Sequence, residues 1–108
     1  MSEFMYKLIV HVPLSHADAV RQAIGEAGGG VLGDYRHCSF SVRGVGRFRP
    51  MEGANPHIGE VGLLEEVEEE QIHVSGIGAG ILKDVVAAVR AVHPYEEPLI
   101  EAVEILRF

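Results

Sequence analysis

Two amphipathic segments that each run into a helix-breaking signal constrain the fold of this sequence more than any other feature. Apolar residues recur at helical spacing over residues 17–27 and again over residues 81–92. The first segment runs into Gly28-Gly29-Gly30, and the second runs into Pro94, which disfavours a helical conformation for His93. Ser15, followed by Asp18, resembles a capping box with a shorter acid. The sequence therefore predicts two helices with defined ends.

Four further segments have the character of strands. Residues 6–12 alternate, and so do residues 35–42, where Arg36, Cys38, Phe40 and Val42 form the expected core face. Residues 99–106 are predicted to be the last strand. The segment 63–74 is ambiguous, because its glutamates favour a helix while its β-branched residues favour a strand. We interpret it as a strand with a solvated acidic face, because a strand there completes an alternating topology.

The resulting order is βαββαβ, which is the arrangement of the ferredoxin-like α+β fold. In this fold two helices cover one face of an antiparallel sheet, and the other face stays open unless a partner covers it. We therefore expect the chain to form a homo-oligomer. Residues 5–108 are predicted to be one domain, and residues 1–4 to be a short tail, either native or left over from cloning.

Charge and hydropathy exclude several classes of function. The net charge of −7 opposes binding to nucleic acid and to an anionic membrane surface, both of which need a basic face. No apolar run approaches the length of about 18 residues that a membrane span requires, and no secretory signal is recognisable. We therefore expect a cytoplasmic protein. The single cysteine, Cys38, excludes an intrachain disulfide and a cysteine zinc cluster.

Three motifs in order carry a family resemblance: "HCSF" at 37–40, "GVGRFRPMEGANPHIGEVG" at 44–62 and "HPYEEP" at 93–98. Together they resemble the YqfO-type insert domain of the Ngg-interacting-factor-three family, over nearly the whole chain. The large domain that supplies the metal site of that family has no counterpart here, so the resemblance implies a stand-alone insert. "HPYEEP" also resembles the CutA family, which implies a PII-like fold and a trimer, with a dimer as the alternative, and pockets between subunits.

The segment 43–59 is the strongest candidate for a ligand site. Arg43, Arg47 and Arg49 concentrate positive charge in an acidic chain, and guanidinium groups bind phosphate or carboxylate through two parallel hydrogen bonds. Phe48 would supply an apolar contact, and His37 is expected to face away from the core towards this loop or a neighbouring subunit. The sequence therefore predicts a small anionic ligand here, bound between subunits by this loop and the turn at residues 93–97. The alternative is an ordered loop that only wraps a neighbouring subunit.

His93 and Glu96 form the second candidate site. Imidazole and carboxylate suit zinc or another divalent metal ion, which would be the cofactor, although such sites need three or four ligands. The alternative interpretation, which we favour, is structural: His93 ends the helix and Pro94 prevents its continuation. No set of residues supplies a nucleophile, a base and a stabilising group together, so the sequence favours a binding module over an enzyme.

Overall fold

The computed structural model describes residues 3–108 and contains one four-stranded sheet and two helices. The elements in chain order are β1 (Glu3–Pro13), a 3₁₀ turn (Leu14–His16), α1 (Ala17–Glu26), β2 (Phe40–Phe48), β3 (Glu65–Ile77), α2 (Leu82–Val92) and β4 (Ile100–Arg107). The strand order is β2-β3-β1-β4, and all neighbouring strands are antiparallel. The predicted ferredoxin-like α+β fold is confirmed. Neither α1 nor α2 is long and apolar enough to cross a membrane.

The core lies between the sheet and the two helices. Alternate residues of the central strands face the helices and are fully buried, as are the apolar stripes of α1 and α2. The largest of these buried side chains are Leu8, Val10, Val12, Val20, Ile24, Ile72, Val74, Ile77, Val85 and Val89. Each such side chain contributes about 1.5–3 kcal/mol through burial. This cluster is what positions the strands that carry the site described below.

The opposite face of the sheet is open. Phe40 and Val42 from β2 and Val103 from β4 lie on it, and their exposed fractions are 68%, 47% and 47%. Lone exposed apolar residues are normal in soluble proteins. Three on one sheet face, however, leave apolar surface of that face in contact with water in the single chain.

The second strand is displaced from its predicted position. Residues 35–42 were expected to form it, but the strand is Phe40–Phe48. Leu32 and Tyr35 exchange two backbone hydrogen bonds of 3.0 and 2.9 Å in a tight turn, and His37 has a positive φ of 58°, which interrupts an extended chain. The expected core face is therefore wrong, since Arg36 and Phe40 are exposed and Cys38 is only half-buried.

The ends of β1 also differ from the prediction. β1 begins at Glu3, where Glu3 and Phe4 pair with the end of β4, so the sheet extends into the predicted tail. Met1 and Ser2, the rest of that tail, lie outside the described residues. The predicted capping box is wrong, because Ser15 Oγ lies 2.7 Å from His16 Nδ1 and the start of α1 has no side-chain cap.

Candidate functional site

A cleft lies where the segment after β2 folds against the turn before β4. We call residues 49–64 the cleft loop and residues 93–98 the HPYEEP turn. Together with the end of β2 and the open face of β1 and β3, they line a cavity of about 570 Å³. The backbone N–H of Asn55 donates a hydrogen bond of 3.1 Å to Glu96 Oε1, which ties the loop to the turn. The two segments that the sequence singled out thus meet within one chain.

His93 anchors the HPYEEP turn to β1. Its Nδ1 accepts a hydrogen bond of 3.2 Å from the backbone N–H of Tyr95, so its Nε2 carries the proton and donates to the carbonyl of His11 at 2.7 Å. Burial lowers the pKa of His93, although the His11 carbonyl and the charge of Glu69 oppose this shift. His93 is therefore neutral at physiological pH, and its hydrogen bond to His11 links the HPYEEP turn to β1.

Tyr95 connects the same turn to β3. Its hydroxyl donates a hydrogen bond of 2.8 Å to Glu69 Oε2 at the base of the cleft. Burial raises the pKa of Tyr95, and the Glu69 carboxylate raises it further. The Glu69 carboxylate also lies directly against Gly46, where a Cβ atom would collide with it. Glycine at this position of β2 therefore makes room for a buried acid.

The expectation of a solvated acidic face on β3 is wrong at two positions. Glu69 is only 8% exposed, and Glu70 is bound at 2.5 Å by Arg21 of α1. The period of the strand explains the difference, because it directs Glu69 towards the cleft and Glu70 towards α1. Their neighbour Glu66 is exposed and does face solvent.

Three of the four predicted ligand-binding residues of β2 and its exit reach the cleft. The cleft is lined by Arg47, Phe48 and Arg49. Arg43 lies nearer the start of β2, beside a smaller cavity of about 160 Å³. Arg47 Nε forms an ion pair of 3.1 Å with Glu66, and both side chains are more than half exposed. Such exposed pairs contribute little to stability and exchange easily, so Arg47 can also turn to a ligand.

His37 does not join this group. Its ring lies against Gly25 of α1, in the turn that precedes β2. It is absent from the residues that line the cleft. The prediction that His37 faces this loop assumed that residues 35–42 form a strand, and the structure places that strand at Phe40–Phe48. Contact of His37 with a neighbouring subunit stays a prediction.

The two predicted metal ligands are engaged within the chain. Both ring nitrogens of His93 make hydrogen bonds, and Glu96 Oε1 accepts one from the cleft loop. Within residues 3–108 there is no group of three or more histidine, cysteine, aspartate or glutamate side chains placed to hold a metal ion. Metal binding by His93 and Glu96 stays a prediction, and it requires His93 to give up a hydrogen bond.

Sequence reasoning missed Glu69 as part of the cleft, and it assigned no role to Gly46 or His57, although both lie in the predicted segment 43–59. His57 belongs to the cleft loop, and its ring centroid lies 6.5 Å from that of Tyr95 and 5.8 Å from that of His16. Gly46 did carry a signal, since a glycine within a strand often marks a close approach of another group. Nothing distinguished Glu69 from the other glutamates of its run.

Relatives of the chain exist, although no family model matches it. It is 50% identical over 97 residues to the GTP cyclohydrolase 1 type 2 homolog of Halalkalibacterium halodurans, which is 90% of this chain and 26% of that protein. The crystal structure of a Bacillus cereus protein related to NIF3 matches with a TM-score of 0.82 and 41% identity, over 97% of this chain and 26% of the other. The chain thus spans about a quarter of the length of both relatives.

The fold recurs in smaller proteins. The periplasmic divalent cation tolerance protein CutA from Archaeoglobus fulgidus matches with a TM-score of 0.66 and 20% identity, over 97% of this chain and 84% of that protein. At this identity the likeness concerns the fold alone. The predicted resemblance to Ngg-interacting-factor-three (NIF3) proteins is confirmed, and the predicted likeness to CutA is confirmed for the fold. The chain is therefore a homologue of a domain-sized segment of NIF3-related proteins, and it has the fold that CutA also adopts.

Proposed function

We propose that the chain is a PII-like binding or regulatory module that holds a small anionic ligand in the cleft. The observation that carries this proposal is the position of Arg47 and Arg49 at a cavity of about 570 Å³, a size typical of small-molecule sites. Among the described residues, Arg49 has no carboxylate within 4.0 Å. Its guanidinium is thus available for a phosphate or carboxylate group.

Thermal unfolding with simple anions tests this proposal. Pyrophosphate and citrate, present at about 100 times their dissociation constants, would stabilise the protein by about 2.7 kcal/mol. We expect Arg49→Ala to abolish the rise in melting temperature and Arg47→Ala to reduce it. Arg43→Ala is the matched control, because Arg43 lies on β2, as Arg47 does, but outside the cavity.

If Arg43→Ala lost the same rise in melting temperature, the stabilisation by anions would come from the overall positive charge of β2 and not from the cleft. The proposal also fails if neither pyrophosphate nor citrate stabilises the unsubstituted chain. The melting temperature of each variant without anion checks that the substitution leaves the fold intact.

The proposed module is a homo-oligomer, and the trimer is the assembly that we propose. The support is the open sheet face, where Phe40, Val42 and Val103 are exposed. Light scattering on Val42→Glu tests it, with Val61→Glu as the control, since Val61 is equally exposed but lies in the cleft loop. We expect three subunits for the unsubstituted chain and the control, and one for Val42→Glu. A monomeric unsubstituted chain would refute the assembly.

A second candidate function is divalent-metal binding at His93 and Glu96, which the likeness to a divalent cation tolerance protein favours. Calorimetric titration with zinc or copper tests it, and Glu96→Gln would abolish stoichiometric binding if this site is used. Unchanged binding in Glu96→Gln would place the ion elsewhere. The name of the Halalkalibacterium relative describes a protein of which the chain covers 26%, so we do not propose its activity here.

A further inference from the structure

We propose that the ligand of the cleft carries a nitrogen that donates a hydrogen bond to Glu69, in addition to its anionic group. This inference rests on the proposed function and makes it more specific. Glu69 lies on the cleft side of β3 and is 8% exposed, so it is the most deeply buried carboxylate of the described residues. A buried carboxylate is unfavourable unless hydrogen bonds or a cation compensate it.

The chain itself compensates Glu69 only in part. Oε2 accepts one hydrogen bond from Tyr95, whereas a carboxylate offers about four acceptor positions. No lysine or arginine nitrogen of residues 3–108 lies within 4.0 Å of it. No histidine nitrogen of these residues lies within 4.0 Å of it either.

The second oxygen of Glu69, Oε1, lies on the Gly46 side of the carboxylate. Oε1 makes no hydrogen bond, yet in the described part of the chain every fully buried side-chain oxygen and nitrogen has a partner. Oε1 is therefore not fully buried, and Glu69 lines both the cleft and the smaller cavity beside it. An acceptor that is held in place and left unpaired inside a cavity fits an N–H group of a ligand.

The walls of the cleft indicate what connects the two polar ends of such a ligand. Phe48 and Tyr95 lie with their ring centroids 5.9 Å apart at an interplanar angle of 59°, and Met51, Ile58 and Leu99 complete an apolar lining. An aromatic or other planar body suits these walls. The chemical class is thus an aromatic acid with an amino substituent, whose acid pairs with Arg49 and whose nitrogen pairs with Glu69.

Three small probes separate these contributions. 4-(Aminomethyl)benzoate carries both polar groups, 4-methylbenzoate lacks the amine, and benzylamine lacks the acid. Because hydrogen bonds to a charged group contribute about 1.5–3 kcal/mol, we expect 4-(aminomethyl)benzoate to bind roughly 10- to 100-fold more tightly than 4-methylbenzoate. Glu69→Gln should remove this preference, and Arg49→Ala should weaken both acids by the same factor.

The possible failures are distinguishable. If 4-methylbenzoate binds as tightly as the amine and Arg49→Ala weakens both, the anion site stands and the role of Glu69 is refuted. The role of Glu69 is also refuted if Glu69→Gln keeps the preference. If neither acid binds, both the anion site and the role of Glu69 are refuted.

A measurement without any ligand gives an independent test. In Glu69→Gln the side-chain amide oxygen can still accept the hydrogen bond from Tyr95, while the negative charge, which that one hydrogen bond compensates only in part, is gone. If Glu69 serves ligand binding and its charge destabilises the fold, Glu69→Gln should raise the melting temperature by about 4 °C or more. A carboxylate kept only to anchor the turn predicts a lower melting temperature, and that result would overturn the proposal.

Discussion

Tyr95→Phe removes one hydroxyl and leaves the ring of Tyr95 in place against Phe48 and His93. The lost hydrogen bond of 2.8 Å is the only one that the Glu69 side chain accepts among the described residues. Hydrogen bonds to charged groups contribute about 1.5–3 kcal/mol, and a buried acceptor left without a donor costs a similar amount. We therefore expect Tyr95→Phe to lower the free energy of unfolding by about 1.5–3 kcal/mol near neutral pH.

The pH dependence of the difference in unfolding free energy between the two proteins shows whether the Tyr95–Glu69 hydrogen bond causes it. Since the pKa of Tyr95 is raised above its ordinary value of 10.0, the folded state keeps the phenol proton when the unfolded state loses it. The stability that Tyr95 provides is thus fully present below pH 10 and declines above it, by about 1.4 kcal/mol per pH unit. The phenylalanine variant lacks this decline, so the difference between the two proteins should shrink above pH 10.

Urea unfolding of both proteins at pH 8 to 11, at one protein concentration, measures this difference. Titration of the other tyrosines and of the lysines affects both proteins equally and cancels. A difference below about 0.5 kcal/mol at pH 8, the value typical of an unimportant surface change, would refute the role of the bond. A difference that stays constant up to pH 11 would refute the raised pKa of Tyr95.

Three further predictions concern the surroundings of the cleft. Gly46→Ala should destabilise the chain by about 1–3 kcal/mol in urea unfolding, because the new methyl group collides with the buried carboxylate, whereas Gly44→Ala has open space and should be nearly neutral. Since burial lowers the pKa of His93 below its ordinary value of 6.5, stability should fall as the pH drops below 6.5, and His93→Gln should remove part of this loss. Glu96→Ala should accelerate amide hydrogen exchange in the cleft loop, while Glu97→Ala, which removes no hydrogen bond of the described chain, should not.

The topology could be predicted from the sequence because local pattern and tertiary packing agree in most elements. The apolar stripe of α2 and its end at Pro94 are visible in the sequence and occur in the structure. β3 was harder, since glutamates favour helix. A strand forms there instead of a helix because the segment pairs with β1 on one side and with β2 on the other. In addition, Arg21 and Arg47 bind two of its glutamates.

The position of β2 could not be predicted from local pattern. Gly44 and Gly46 made its second half resemble a loop, but Gly46 is present because the side chain of Glu69 occupies the space beside it. That space is set by a partner strand, so no window around residue 46 contains the information. For the same reason the cleft was predicted only through its arginines and its turn, and Glu69 could be recognised only once β2, β3 and the turn were together.

The central claim is that the cleft loop and the HPYEEP turn enclose a binding site above Glu69. Titration of ¹⁵N-labelled protein with 4-(aminomethyl)benzoate, followed by amide chemical shifts, tests it most directly. We predict that the amide shifts change for the non-proline residues of 46–58 and 95–99, two segments that supply most of the cavity lining, and stay constant at Gly76 and Val103, which do not line it. Shift changes centred on Gly76 and Val103, or no changes at saturating probe, would contradict the account.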